Sequence, residues 1–268
     1  MIELRRPEPL DPKRHDRSTF DSGAPELDDW LRRYSTQNRK RNTAATWVVA
    51  DAEAVVRGYV SLAMTGVDRS SAPDSLAKHA PDPVPALLIG RLAVDQSVTG
   101  LGIGTMLAAH VLANAVALNE QAACRAVVVS ALDDAARSWW ERLGFHPFDP
   151  ADPESFALYL LTSEIAAELA VHFECGRDYS RAVQYRRQAA KNALQRCAYR
   201  EAISHLTKGL ELLKALPDRP ERLQQEIALH ISLGLSLVAT KGYAAPEVER
   251  SYTRALELCR QVEATPQL

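Results

Sequence analysis

Three glycines, Gly100, Gly102 and Gly104, alternate with Leu101 and Ile103 directly ahead of a run from Thr105 to Asn119 that carries apolar residues at helical spacing without a proline. Upstream, Leu87 to Val94 reads as a buried β-strand interrupted by one charge, Arg91. Strand, glycine-rich loop and helix in that order suit an anion. A helix N-terminus presents unpaired N–H groups, and glycines let the backbone close on a phosphate with no Cβ in the way. The other reading of the same residues is a tight turn into a helix. No Lys-Ser or Lys-Thr follows the last glycine, as a P-loop needs, and no second glycine pair stands at dinucleotide-fold spacing. Arg91 needs a partner, since an unpaired buried charge is costly, and Asp95 is the nearest acid. A basic run, Arg39-Lys40-Arg41, either complements a helix C-terminus or contacts the phosphates of a polynucleotide.

The elements that must position these residues can be read along the chain. Ile2 to Arg5 is expected as a short strand, and Glu26 to Asn38 as an amphipathic helix with Leu27, Trp30, Leu31 and Tyr34 on one face. Thr46–Ala50 and Val55–Met64 read as an antiparallel pair, followed by a proline-rich connection from Pro73 to Pro85. Arg125 to Ala131 is a second buried strand. Asp133 or Asp134 caps a helix through Trp139 and Trp140 that Gly144 ends, and Phe145–Phe148 and Ser155–Leu161 close this part as short strands.

With 268 residues, 46% of them hydrophobic and 25% charged, the chain has room for two modest domains of ordinary globular composition. A net charge of −2 argues against a protein dominated by nucleic-acid binding. Cys124, Cys175, Cys197 and Cys259 lie far apart, without CxxC pairs or histidines at metal-ligand spacing. Buried reduced thiols and no metal site are expected. The N-terminus lacks an apolar signal core, and no apolar run reaches membrane-spanning length, so a cytoplasmic location is expected.

Residues 1–162 resemble the GNAT acetyltransferases, and within them the acetyltransferase toxins of bacterial toxin–antitoxin pairs. The resemblance rests on Phe20-Asp21-Ser22-Gly23, Leu27-Asp28-Asp29-Trp30-Leu31, Gly58-Tyr59-Val60-Ser61-Leu62 and Ile89-Gly90-Arg91-Leu92-Ala93-Val94-Asp95. It continues through the glycine loop, Ala131-Leu132-Asp133-Asp134-Ala135-Ala136 and Glu141-Arg142-Leu143-Gly144-Phe145. It implies an α+β fold, a mixed sheet flanked by helices, with acetyl-CoA as acetyl donor and no metal. Thr99, Gly100, Leu101, Gly102, Ile103 and Gly104 would then hold the pyrophosphate, Thr99 standing where the family pattern has Arg or Gln. Strand 87–94 would splay from strand 125–131, leaving the backbone of Leu92, Ala93 and Val94 to the pantetheine arm. The implied acceptor is the α-amino group of aminoacyl-tRNA, with Arg39, Lys40, Arg41 and Arg91 as candidate contacts, and the implied partner is a ribbon-helix-helix antitoxin.

The chain departs from that family at its catalytic position. Trp139-Trp140 replaces a Phe-Tyr pair, so Trp140 stands where a tyrosine is expected to protonate the leaving thiolate. An indole N–H donates a hydrogen bond but does not release its proton as a phenol can. Water, Ser130 and Ser138 are the remaining donors. Two alternatives to the tRNA reading arise: a fold kept for binding partners with impaired catalysis, and transfer to a small amine.

From about residue 163 to 268 strands disappear. Glu164–Glu174, Tyr179–Gln195, Arg200–Leu216, Glu221–Thr240 and Pro246–Val262 are helical by period. Thr207–Leu212 and Thr253–Leu258 are near-copies, 46 residues apart. With Ala182, Ala189, Ala202, Gly209 and Ala255 as small residues at helix crossings, this part resembles a tetratricopeptide-like array, like the helical tail of bacterial signalling ATPases and cyclase-associated regulators. Such arrays dock protein partners or a second copy of the chain.

Overall fold

Seven strands, β1 (Glu8–Pro9), β2 (Ala45–Ala50), β3 (Val56–Val67), β4 (Val84–Val94), β5 (Ala126–Ser130), β6 (His146–Pro147) and β7 (Ala157–Leu161), form one sheet in the computed structural model. The order is β1-β2-β3-β4-β5-β7-β6, and of these strand pairs only β4 with β5 is parallel. The structure describes residues 4–152 and 154–264. Ile2 and Glu3 of the expected first strand lie outside them, while Leu4 makes an isolated bridge to Asp51. The edge strand is instead β1, where Pro9 is tolerated because an edge needs no second partner for its nitrogen.

Side-chain alternation places different layers on the two faces of β3 and β4. Tyr59 and its cross-strand partner Ala93 point into a cluster with Phe20, Trp30 and Leu31. Gly58 faces the other way, where a Cβ would stand 2.6 Å from Ile103 Cγ2 and 3.2 Å from Leu107 Cδ1. That close approach seats helix α4 (Ile103–Ala122) on the sheet. A further cluster, with Leu76, Ala86, Val128 and Tyr159, fills the region beneath β4, β5 and β7.

The helical stretch expected at Glu26–Asn38 is three segments: α1 (Pro25–Asp29), a π turn (Trp30–Tyr34) and α2 (Ser35–Lys40). The π turn widens the helix by one residue, which rotates the residues after it by about 100°. Leu31 is therefore buried, but Tyr34, expected on the same face, is 49% exposed. The Leu31 carbonyl freed by the widening accepts from Ser35 Oγ at 2.5 Å and from Arg17 Nη1 at 3.4 Å. A single-turn helix, α3 (Asp74–Ala77), interrupts the proline-rich connection. Helix α5 (Asp134–Arg142) is capped by Asp133, whose carboxylate accepts from the Ala136 amide at 2.7 Å, and Gly144 ends it at φ +87°.

The chain divides into two compact units, Met1–Thr162 and Ser163–Leu268. Among its described residues the second unit is all-helical: α6 (Thr162–Cys175, whose first residue closes the first unit), α7 (Tyr179–Gln195), α8 (Tyr199–Leu213), α9 (Pro220–Lys241) and α10 (Pro246–Ala264). Neighbours in sequence pack on one another from α7 to α10. Ala182, Val183, Leu206 and Leu229 share one core. Gly209 and Ala255, equivalent in the two near-copies, are both buried, as are Leu212 and Leu258. At Gly234 a Cβ would come within 2.6 Å of the Tyr252 ring, so α9 and α10 cross there only because the side chain is absent. All four cysteines are free thiols, but Cys124 alone is buried; Cys175 and Cys197, expected inside, sit at helix ends where the chain turns outward and are exposed.

Candidate active site

Strands β4 and β5 pair from Ala86↔Ala126 to Ile89↔Val129 and then part. The cause lies on the other side of β4. Arg91 pairs with Ser61 and Ile89 with Leu62, leaving Gly90 as an extra residue, and a bulge of this kind bends the strand. From Gly90 to Val94 the β5-facing edge of β4 has no strand partner, although β3 still holds its opposite edge as far as Gly58↔Val94. The result is a fork.

A cavity of about 780 Å³ occupies the fork and runs to the glycine loop. Asp95 fixes the end of β4. Its carboxylate accepts from the Ser97 amide at 3.0 Å, from Ser97 Oγ and from the Asp21 amide at 3.1 Å. Burial opposes the charge of Asp95, but these hydrogen bonds and nearby Arg57 outweigh it and hold the pKa below the usual carboxylate range. A 3₁₀ turn (Gln96–Val98) then leads into Gly100 and Gly102, at φ +83° and +77°. Among the described residues nothing lies within 4 Å of where either Cβ would stand. Gly102 caps α4, whose first-turn amides have no acceptor within the helix. Gly104 admits Trp139, whose ring lies 3.4 Å from the position of a Cβ.

Of the residues proposed to bind the cofactor, Leu92, Val94, Thr99, Gly100, Gly102, Ile103 and Gly104 line this cavity. Ala93 and Leu101 do not. Alternation turns Ala93 into the Tyr59 cluster, and Leu101 is 58% exposed on the loop. Arg91 lines the cavity too, but it does not pair with Asp95, which is occupied as described. Its guanidinium carbon lies 4.7 Å from the centroid of the Trp30 ring, a cation–π contact. Trp30 in turn lies parallel to Tyr59, with centroids 5.8 Å apart.

Arg39, Lys40 and Arg41 are exposed and not part of this cavity. Arg39 donates to the Leu10 carbonyl and borders a separate groove with Leu62, Met64, Leu87 and Asn114. Trp140 lines the cavity but is 4% exposed, packed edge-on against Trp139 and Phe145 at 4.6 and 4.9 Å. Glu26 and Leu27, read from the sequence as part of a helix and not as site residues, form another wall. Tyr59 Oη donates to the Leu27 carbonyl at 2.8 Å and holds that wall to the sheet. Burial raises the Tyr59 pKa far above its ordinary value, so this hydroxyl stays a donor. His110 packs at a tilt against Trp47 with centroids 4.3 Å apart, and no group of His, Cys, Asp and Glu among the described residues could hold a metal. Among the same residues no helix is long and apolar enough to cross a membrane.

Comparison with known proteins agrees with this geometry. The chain is 35% identical over 138 residues to a tRNA-acetylating toxin of Mycobacterium tuberculosis (strain ATCC 25618 / H37Rv), which covers 52% of this chain and 82% of the toxin. It is similar at 25% identity and TM-score 0.56 to AtaT complexed with acetyl-methionyl-tRNAfMet, over 62% of this chain and 98% of AtaT. It is also similar, at 25% identity and TM-score 0.53, to a tyrosine-to-phenylalanine AtaT variant bound to the C-terminus of the antitoxin AtaR and acetyl-CoA, over 62% of this chain and 97% of the toxin. Residues 10–145, which contain the fork, the glycine loop, Trp139 and Trp140, match the acetyltransferase (GNAT) family, and the chain belongs to it.

Proposed function

We propose that the first unit binds acetyl-CoA and transfers its acetyl group to the α-amino group of an aminoacyl-tRNA. One observation carries the reading: a single cavity passes through the fork, with the glycine cradle at one end and Arg91, Glu26 and Leu27 at the other. Leu92 and Val94 alternate with Arg91 and Ala93, so the α4 side serves the donor and the Trp30 side the acceptor. The donor fits. Gly100 and Gly102 leave open space where phosphate oxygens need it, the first turn of α4 supplies N–H groups, and the free edge of β4 can bond an extended arm. Bound there, acetyl-CoA would supply the activated acyl group.

On the acceptor side, Arg91 is held on Trp30 and forms no salt bridge among the described residues, which suits it to a phosphate of the acceptor end. Arg39, Lys40 and Arg41 would meet more distant phosphates of the same molecule. The relatives that act on or bind tRNA support this acceptor over a small amine. AtaR on AtaT supports an antitoxin partner, for which we propose the ribbon-helix-helix class. The helical unit is proposed as a tetratricopeptide-like docking module, separate from the chemistry.

A second reading is favoured by Trp140: buried among aromatic rings and without an acidic proton, it suits a fold retained for binding with little turnover. Calorimetric titration with acetyl-CoA, followed by transfer assays on aminoacyl-tRNA and on a small amine, separates these readings. Binding with tRNA-specific transfer is expected. Binding without transfer in the parent, gained on Trp140→Tyr, would favour the impaired enzyme, and absence of binding would refute both.

A further inference from the structure

Resting on the acetyl-transfer reading, we propose that Ser130 is the catalytic residue that delivers the proton to the departing thiolate. The position comes from the fork. Ile89 faces Val129 in the last rung of the β4–β5 ladder, so Ser130 is the next residue of β5 opposite the bulged Gly90. An arm that bonds along the free edge from Val94, beside the glycine loop, to Gly90 covers about 13 Å of extended strand. Its reactive end then lies at the apex, beside Ser130.

The chemistry selects the same residue. Ser130 is exposed, lines the cavity, and its hydroxyl has no partner among the described residues. Thr99 and Thr105 stand at the phosphate end, and Ser138 is not part of the wall. Asp133 is engaged in capping α5. Trp139 and Trp140 offer only indole N–H groups. In the proposed step the C–N bond forms and the C–S bond breaks with its electron pair on sulfur. Ser130 Oγ–H gives its proton to that sulfur, and Oγ takes the proton shed by the acceptor nitrogen, leaving amide and free thiol.

Ser130→Ala, Ser130→Thr and Ser130→Ala with Trp140→Tyr test this in the full chain. Acetyl-CoA affinity is expected to stay near that of the parent, while kcat falls about 10²- to 10⁴-fold in Ser130→Ala. Ser130→Thr keeps the hydroxyl and most of the turnover, and Trp140→Tyr restores turnover to the alanine variant by supplying a phenol. A second readout needs no turnover: titration of bound CoA, followed by thiolate ultraviolet absorbance. Loss of the serine donor is expected to raise the pH of thiol ionisation by roughly one unit. Unchanged turnover together with unchanged thiol ionisation in Ser130→Ala would overturn the role of Ser130 and leave the acetyl-transfer reading standing. Failure of the parent to bind CoA would overturn both.

Discussion

Asp95 is where a single side chain decides the shape of the site. It is 5% exposed and ties the end of β4 to the Asp21 amide and to the turn that starts the glycine loop. Because its pKa is held below the ordinary value in the folded protein, its contribution is complete above about pH 4 and is lost as the pH falls through the folded value. Asp95→Asn is expected to cost about 1–3 kcal/mol at neutral pH. The gap to the parent should close in acid, as denaturant unfolding across pH would show. Arg91 makes the complementary case. Arg91→Gln is expected to leave acetyl-CoA affinity unchanged and to raise KM for aminoacyl-tRNA about ten-fold, the loss of one charged contact. An equal loss for a small uncharged amine would remove Arg91 from phosphate recognition. The need of Arg91 for a partner was legible in its strand; the partner was not. Trp30 meets it only through the tertiary fold, whereas Asp95, close in sequence, is engaged by Ser97 and Asp21.

Elements with a strong local signal were legible, and those set by tertiary contact were not. The β4–loop–α4 order, the antiparallel β2–β3 pair and the helices of the second unit all arise from periodicity and glycine placement. The π turn does not, since its extra residue is stabilised by Ser35 and Arg17. Nor does β1, two residues long and paired to a distant strand. The splay of β4 from β5 came from the family resemblance; its origin, the Gly90 bulge, emerges only from the pairing register. At this scale the cradle gives a clear test. Gly102→Ala places a Cβ in open space, so packing does not oppose it, but φ +77° imposes about 1–2 kcal/mol of strain and the methyl enters the proposed phosphate site. Acetyl-CoA affinity is expected to fall at least about ten-fold, with unfolding free energy reduced by about that strain. Undiminished affinity by calorimetry would move the pyrophosphate elsewhere.

Each of the two units has its own apolar core, and the described residues that line the proposed active site belong to the first. Domains with separate cores can unfold as separate cooperative transitions. Scanning calorimetry of the full chain is therefore expected to resolve two transitions that answer to different perturbations. Acetyl-CoA at a hundred times its dissociation constant adds about 2.7 kcal/mol to the unit that binds it and should shift one transition alone. Gly234→Ala should shift the other, since its methyl meets the Tyr252 ring at 2.6 Å and overpacking of this kind costs about 1–3 kcal/mol. A single transition moved by both perturbations would show that the helical unit and the transferase fold as one cooperative structure. The separation of chemistry from docking proposed for this chain would then fail, because a partner that loads the helices would act directly on the stability of the fork.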